Sequence, residues 1–350
     1  MMRIAHLLRK YNPAEWGGTE SALLQLCRGL RLHGVSSVVF CPHLPDADLL
    51  PLPARNEWGE DRGEGKSNKD RPPLPGPLLP SPGREGEAHG SDSDPLAQSG
   101  CSIKRYHSRL PIWGIPEKRK GQLIAIGGNL VSFDLIGALW REPDVSLIHT
   151  HALGRLGGVA LTVARRRRVP IVLTIHGGLL DLPPQVRNTF NHHAQGGWDW
   201  GKIFGAVFKA RRLVEEADVI LTCNPREAQL LQQKHPGQRI QVHPHGVIAD
   251  RFRKDYREAA REAFPMIRNR QVLLAVGRID PPKNQAWLVE QAPEILRRHD
   301  RAILVLAGAC TDEAYGAQLN RQIEALGLKN KILRTGGLPP ADGRLIGLYQ

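Results

Sequence analysis

Residues 169–178 read VPIVLTIHGG, and this stretch decides the fold class. The aliphatic, partly β-branched run over residues 171–175 predicts a strand buried on both faces, and His176 follows it with two glycines. Strands this uniformly apolar are typical of parallel sheets that helices cover on both sides. The sequence therefore predicts an α/β protein whose ligands bind where the strands end.

The same alternation of short apolar runs and helical patterns extends along most of the chain. The helix predicted over residues 19–32 carries leucines on one face and ends before Gly34, a suitable C-terminal cap. Predicted strands occupy residues 4–8, 37–41, 146–149, 171–175, 219–222, 240–243, 272–276, 302–307 and 331–334. We predict two doubly wound parallel-sheet domains, over residues 1–245 and 246–350.

Residues 45–101 interrupt this pattern. Within them, residues 51–100 hold nine prolines and eight glycines, with six basic against nine acidic side chains. Such a segment cannot bury enough apolar surface to offset its ordering entropy, so we predict a flexible Pro/Gly-rich insertion. A proline-rich ligand for another domain is the less favoured alternative.

Composition narrows the class of protein. The chain has 350 residues, 41% of them hydrophobic and 24% charged, which excludes collagen-like and fully disordered proteins. Its formal net charge of +13 indicates an anionic partner. Nucleic acid is not expected, because no basic strand is interleaved with aromatic residues. Five scattered cysteines and the absence of an apolar run of about 18 residues predict a cytoplasmic protein.

The first strand leads through Gly17 and Gly18 into a helix. Paired glycines let a ligand approach the backbone, and a helix N-terminus offers unpaired N–H groups to an anion such as a diphosphate. A plain turn in which Thr19 caps the helix explains the motif equally well.

Three histidines follow neighbouring predicted strands: His149, His151 and His176. At the ends of adjacent parallel strands they are suited to bond hydroxyls or phosphate, or to act as acid and base near neutral pH. Zinc binding is the disfavoured alternative, because no carboxylate or cysteine joins them at ligand spacing. We therefore predict no metal site.

In the second unit, a strand runs into Gly277-Arg278 and then reaches Lys283 and Asn284 before a helix. Two fixed cations beside a helix N-terminus are what a diphosphate needs. The stretch lacks the glycine-rich run and the terminal Lys-Ser/Thr pair of a P-loop.

Taken together, these motifs resemble those of the retaining glycosyltransferases of family 4. The resemblance rests on Gly-Gly-Thr-Glu at 17–20, Ile-His-Thr-His at 148–151, Thr-Ile-His-Gly-Gly at 174–178 and Gly-Arg with Lys-Asn within 277–284. It implies a GT-B fold of two Rossmann-like domains with a sugar nucleotide bound between them. One departure is Pro-His-Gly-Val-Ile at 244–248, where the family usually has Pro-Asn-Gly-Val-Asp.

The resemblance also implies roles for individual residues. Arg278 and Lys283 would grip the donor diphosphate, Gly17 and Gly18 would approach it from the opposite domain, and His176 would be the catalytic residue that contacts the transferred sugar. His149, His151 and Asn284 are further candidate substrate contacts. Neither a metal nor another cofactor is implied, because the nucleotide sugar is a co-substrate and cationic side chains can neutralise its diphosphate.

The second domain is expected to be incomplete. At roughly 30 residues per repeat, residues 271–350 hold about three strands, against about six in a full doubly wound half. The family's paired glutamates, which hold the ribose and face the sugar, would lie beyond this stretch. Two interpretations stay open: a retaining glycosyltransferase (a hexosyltransferase by type), or a truncated or degenerate relative with at most weak sugar-phosphate binding.

The acceptor is expected to be a glycan, as in polysaccharide biosynthesis, or a lipid-linked molecule. The basic excess suits peripheral contact with an anionic membrane, on its cytoplasmic, inner face. Trp198 and Trp200 precede an apolar helix face formed by Ile203, Phe204 and Val207. These side chains suit a lipid or acceptor surface, although packing in the core is the favoured interpretation.

Overall fold

The computed structural model describes residues 2–11, 18–43, 94–116, 120, 123–124, 129–177, 180, 197–247 and 249–350. Gly17 and Gly178, which belong to predicted motifs, lie outside the described residues, and so does most of the predicted insertion. Two separate sheets with their own helices confirm the α/β prediction.

The first unit is built on a seven-stranded parallel sheet. Its strands are β1 Arg3–Leu7, β2 Ser36–Pro42, β3 Ser102–Tyr106, β5 Leu147–Thr150, β6 Ile171–Ile175, β8 Val219–Thr222 and β9 Ile240–Val242. The order β3-β2-β1-β5-β6-β8-β9 shows that the chain runs outward from β1 to β3 and returns to β5 on the other side. The topological switch point, where α/β sheets bind ligands, therefore lies between β1 and β5.

Helices cover both faces of this sheet. They are α1 Gly18–Leu32, α2 Pro95–Gln98, α3 Asp134–Arg141, α4 Gly154–Arg167, α5 Gly201–Val207, α6 Leu213–Glu216 and α7 Pro225–Lys234. On β2, Val38 and Phe40 face α3 and α4, whereas Val39 and Cys41 face α1. This period-2 division buries the strand on both faces and explains its uninterrupted apolar sequence.

The predicted α1 is confirmed in both its packing and its end. Leu23, Leu24 and Cys27 are buried against the sheet. The helix stops at Leu32, and Gly34 follows with a φ of +73°, a left-handed conformation that glycine adopts without strain.

The end of the predicted insertion requires correction. Asp94 accepts hydrogen bonds from the backbone of Leu96 and Ala97 and so starts α2, whose Leu96 is fully buried. The next strand, β3, pairs with β2. Residues 94–101 therefore belong to the folded unit, and the predicted insertion does not extend to residue 101. The sequence missed β3 because alternating polar residues interrupt its apolar pattern.

The sequence predicts a helix over residues 202–216, but that helix is not a single element. It is divided into α5, a 3₁₀ turn at Ala210–Arg212 and α6, because Lys209 adopts a left-handed φ of 52°. A short antiparallel pair, β4 Ile112–Trp113 and β7 Trp198–Asp199, precedes it and was not predicted. Together these segments form a projection beside α4.

The second unit contains a three-stranded parallel sheet, with β11 Ala302–Ala307 between β10 Gln271–Val276 and β12 Ile332–Gly336. Its helices are α8 Arg257–Ala263, α9 Gln285–Arg298, α10 Glu313–Ala325 and α11 Gly343–Tyr349. One core lies between the sheet and α9 with α10, and the other between the sheet and α8 with α11. The number of strands agrees with the three expected for residues 271–350.

Candidate functional site

Histidines collect at the carboxyl ends of the central strands of the first unit. His6 on β1 lies in register with His149 on β5, with ring centroids 5.2 Å apart. The ring of His151 follows 4.2 Å from that of His149, and His176 lies 5.2 Å from His151. The predicted gathering of His149, His151 and His176 is therefore confirmed, and it lies at the topological switch point.

Hydrogen bonds link His151, His176 and His245 into a chain, and a separate one holds His149. The Nε2 of His149 lies 2.6 Å from Thr174 Oγ1, and the Nδ1 of His151 lies 2.9 Å from His176 Nε2. The other nitrogen of His176, Nδ1, lies 3.4 Å from His245 Nε2. The orientation of His176 is therefore set from both sides of its ring.

Burial keeps the histidines of this cluster uncharged at neutral pH. It lowers the pKa of His6 to about 3. Burial, followed by the charge of neighbouring His245, lowers the pKa of His176 to about 4. The pKa values of His149 and His151 are also well below the ordinary value, first from burial and then from the surrounding histidines. These side chains thus act as neutral hydrogen-bonding groups, which argues against acid–base exchange by His176 near pH 7.

A cavity of about 350 Å³ opens beside this chain, between α1 and the strand ends. Leu26 and Leu30 of α1 form its apolar wall, while His151, His176 and His245 face it from the sheet side. A small apolar hollow with several neutral donors and acceptors is suited to hold an uncharged, hydroxyl-rich group.

Gly18, one of the two glycines predicted to approach a ligand, lies at the N-terminus of α1. Gly18 is its exposed first residue, and a methyl group added there would meet nothing within 4 Å. Packing against the described residues therefore does not require glycine at this position, and both the ligand approach and the plain turn stay open. Its predicted partner, Gly17, is not described.

In the second unit, Arg278 and Lys283 lie where β10 gives way to α9. The guanidinium of Arg278 is mostly exposed and lies 3.1 Å from Asp280, whose carboxylate is buried. Lys283 ends a 3₁₀ turn, Pro281–Lys283, and forms no salt bridge to any described residue. Both predicted cations are therefore presented at a strand end beside the start of a 14-residue helix.

Asn284, the remaining predicted contact, is exposed at the N-terminal cap of α9, with a left-handed φ of 52°. Nearby, the backbones of β10 and β11 come unusually close, because a Cβ on Gly308 would lie 1.9 Å from the carbonyl oxygen of Gly277. Glycine is obligatory at that contact, and it keeps the surface above these strand ends open.

Sequence reasoning missed His6, His245, Thr174 and Asp280. His6 is separated from the other histidines by more than 140 positions, and only the pairing of β1 with β5 brings them together. His245 was noticed only as a departure from the usual interdomain segment. The signal in the sequence was the histidine at position 245, where the family usually has asparagine.

Two family models together match nearly all of the chain. The model described as glycosyl transferase 4-like domain matches residues 17–246. The model described as glycosyl transferases group 1 matches residues 257–350. The first match alone covers more than half of the sequence.

Individual relatives are more distant. The chain is 26% identical to alpha-D-kanosaminyltransferase of Streptomyces kanamyceticus, over 68% of this chain and 61% of that protein. It is 28% identical to D-inositol 3-phosphate glycosyltransferase of Segniliparus rotundus, over 65% of this chain and 48% of the relative. It is 24% identical to alpha-monoglucosyldiacylglycerol synthase of Streptococcus pneumoniae, over 59% of this chain and 45% of that protein. The matched region thus spans about half the length of these curated relatives.

Solved structures share the fold. Anabaena Alr3699/HepE in complex with UDP and glucose superposes with a TM-score of 0.58 at 16% identity, over 99% of this chain and 72% of that one. The catalytic domain of starch synthase IV from Arabidopsis thaliana gives 0.54 at 11% identity, over 99% and 76%. With its parallel α/β sheets and both family matches, the chain belongs to the GT-B glycosyltransferases of the glycosyl transferase 4-like and group 1 families.

Proposed function

We propose that this protein transfers a sugar from a nucleoside-diphosphate sugar to a glycan or lipid-linked acceptor, with retention of the anomeric configuration. The observation that carries the proposal is Lys283, an exposed cation without a salt bridge to any described residue, beside Arg278 at the start of α9. Family membership and the histidine-lined cavity of the first unit agree with it.

In the proposed reaction, Arg278 and Lys283 bind the diphosphate and stabilise the negative charge that develops as it leaves. Fixed cations and a helix N-terminus supply this stabilisation without reorganisation, and no divalent cation is needed at the phosphates. Asp280 holds one side of the Arg278 guanidinium, which leaves its other N–H groups to bond phosphate oxygens.

We propose that His176 orients the transferred sugar as a neutral hydrogen-bonding group. Its two ring nitrogens already contact His151 and His245, at 2.9 and 3.4 Å, so a hydroxyl must displace or share one of these contacts. The longer contact, to the exposed His245, is the weaker one and is the side from which a sugar would enter. The acceptor hydroxyl would then attack from the face that the diphosphate leaves.

Release of nucleoside diphosphate from a panel of sugar nucleotides tests this proposal. We expect Lys283→Ala to lower kcat/KM by about 10- to 100-fold, the loss of one bond between charged groups. Lys329→Ala is the matched control, because Lys329 is an exposed lysine already paired with Glu324 in the same unit. No release from any sugar nucleotide by a folded wild-type protein would favour the alternative, a non-catalytic relative.

Stereochemistry needs its own measurement. The coupling constant of the anomeric proton in the product, read by NMR before mutarotation, distinguishes retention from inversion. A product with the opposite configuration to the donor would refute the retaining mechanism while leaving sugar transfer intact.

We also propose that the projection formed by β4, β7 and α5 docks on an anionic membrane that presents the acceptor. Trp198, Ile203 and Val207 are each at least 60% exposed there, which corrects the expectation that these three side chains pack in the core. Phe204 is buried as expected, and Trp200 is partly buried against the core. Exposed aromatic and aliphatic side chains beside the basic residues Lys209, Arg211 and Arg212 suit the bilayer interface. No helix in the described part of the chain is long and apolar enough to cross a membrane.

Sedimentation with phosphatidylglycerol vesicles tests the docking proposal. We expect Trp198→Ser with Ile203→Ser to abolish binding, and high salt to weaken it. Trp287→Ser is the control, since Trp287 is 53% exposed but lies in the second unit. Binding that is unaffected by the double substitution would contradict the proposed surface.

A further inference from the structure

Three of the clustered histidines form a compact set of nitrogen ligands. One ring nitrogen from each of His6, His149 and His151 lies within 4.8 Å of the others. Two of these residues are adjacent across the β1–β5 pair and the third follows two positions later, so the backbone of the central strands fixes the arrangement.

Each ring is also held from its outer side. His6 Nε2 lies 3.4 Å from Ser37 Oγ, His149 Nε2 lies 2.6 Å from Thr174 Oγ1, and His151 Nδ1 lies 2.9 Å from His176 Nε2. Histidines that bind metals nearly always use their second nitrogen in this way, which fixes the ring and frees the lone pair of the first nitrogen.

Two of the three inner nitrogens lack partners among the described residues. His6 Nδ1 and His151 Nε2 are both inaccessible to solvent and have no hydrogen-bond partner among the described residues. The side chain of His6 is fully buried, so water from the surface does not satisfy it. Buried nitrogens without partners are rare in folded proteins and call for an explanation, such as a bound ion.

We infer that His6, His149 and His151 bind one divalent transition-metal ion of the zinc type. Imidazole suits Zn²⁺, Cu²⁺ and Ni²⁺, whereas Mg²⁺ and Ca²⁺ require oxygen ligands that this set lacks. Zn–N bonds of about 2.0–2.1 Å place tetrahedral ligand atoms about 3.4 Å apart, so the nitrogens must approach by at most about 1.4 Å. The fourth position remains open to water or to a ligand from the cavity beside His149 and His151.

This site is separate from the proposed diphosphate site, because all three ligands belong to the first unit and Arg278 and Lys283 to the second. The inference departs from the expectation of no metal site, which rested on the absence of a carboxylate or cysteine at ligand spacing. The third ligand is instead supplied by β1, far away in sequence. Direct binding measurements test it independently of any transferase activity.

The test uses tag-free, EDTA-treated protein titrated with Zn²⁺ by calorimetry and with Co²⁺ by visible absorption. We expect one equivalent to bind and Co²⁺ to give the intense bands of a tetrahedral site. Excess Mg²⁺ or Ca²⁺ should not compete. Absence of stoichiometric binding by the folded wild-type protein would overturn the inference.

Variants identify the ligands. His151→Gln, at a partly buried position, should abolish tight binding, whereas Thr174→Val should weaken it by about 10- to 100-fold through the outer hydrogen bond. His243→Gln is the matched control, because His243 lines the same cavity outside the triad. Circular dichroism checks folding of each variant. Unchanged affinity in both His151→Gln and Thr174→Val would place the metal elsewhere.

Discussion

Acidification should destabilise the first unit well above the pH at which its carboxylates titrate. His6, His149, His151 and His176 form one cluster in which burial lowers every pKa. No described carboxylate forms a salt bridge with any of them. In the unfolded chain each histidine returns to its ordinary pKa of about 6.5. Below that value the unfolded state binds more protons than the folded state, so stability falls as the pH falls.

The size of the effect follows from two of these pKa values. The pKa of His6 is lowered to about 3 and that of His176 to about 4. Each pH unit below 6.5 therefore costs about 1.4 kcal/mol per histidine until the folded-state pKa is reached. Between about pH 7.5 and pH 5, His6 accounts for about 2 kcal/mol and the partly exposed His176 for somewhat less. His149 and His151 act in the same direction, so the loss is a large share of a typical domain's stability.

Urea unfolding of metal-free protein at a series of pH values measures this loss. Tryptophan fluorescence reports on the first unit, because six of the seven tryptophans precede residue 246. His176→Gln should reduce the slope of unfolding free energy against pH by at most about 1.4 kcal/mol per unit. A wild-type stability that stays flat from about pH 7.5 to pH 5 would refute the picture of buried neutral histidines.

Three further predictions concern backbone and charge. Arg278→Lys should weaken binding of the nucleoside diphosphate by about tenfold, as measured by calorimetry. Lysine lacks the planar guanidinium, which can hydrogen-bond to the Asp280 carboxylate and to a phosphate at the same time. Gly308→Ala should cost about 3 kcal/mol in thermal unfolding, because its methyl group would overlap a backbone carbonyl, whereas Gly237→Ala, in open space, should be neutral. Gly18→Ala should leave stability unchanged but reduce affinity for the nucleotide sugar; unchanged affinity would assign Gly18 to a plain turn.

The fold was largely readable because its strands are apolar on both faces. Residues 302–307 lie at the centre of their sheet and are buried along the whole strand, which leaves no room for polar alternation. Residues 171–175 form an interior strand that alternates between buried and partly buried positions. β3 lies at the sheet edge with a half-exposed, polar pattern, so periodicity did not reveal it. The break at Lys209 was equally hidden, since no glycine or proline marks that left-handed residue.

The site was predictable only where its residues follow strands in obvious motifs. His149, His151 and His176 were found in this way, and so were Arg278 and Lys283. His6 was not predicted, because a single histidine within an apolar run carries no local signal. Only the pairing of β1 with β5 places it beside His149. The protonation state of these histidines could not be predicted from the sequence either. It depends on burial and on the proximity of other charged groups, and both are properties of the tertiary structure.

The two units divide the chemistry of binding between them. In the first, a chain of buried, neutral imidazoles faces the cavity, so it can orient hydroxyls but cannot balance the charge of a diphosphate. In the second, Arg278 and Lys283 remain charged and exposed at a strand end. A ligand with an anionic end and a neutral, hydroxyl-rich end is complementary to both, and a sugar nucleotide has this polarity. In the metal-free protein, a charged group on the sugar would instead meet low-pKa histidines that resist protonation, so uncharged sugars should be favoured over uronic acids.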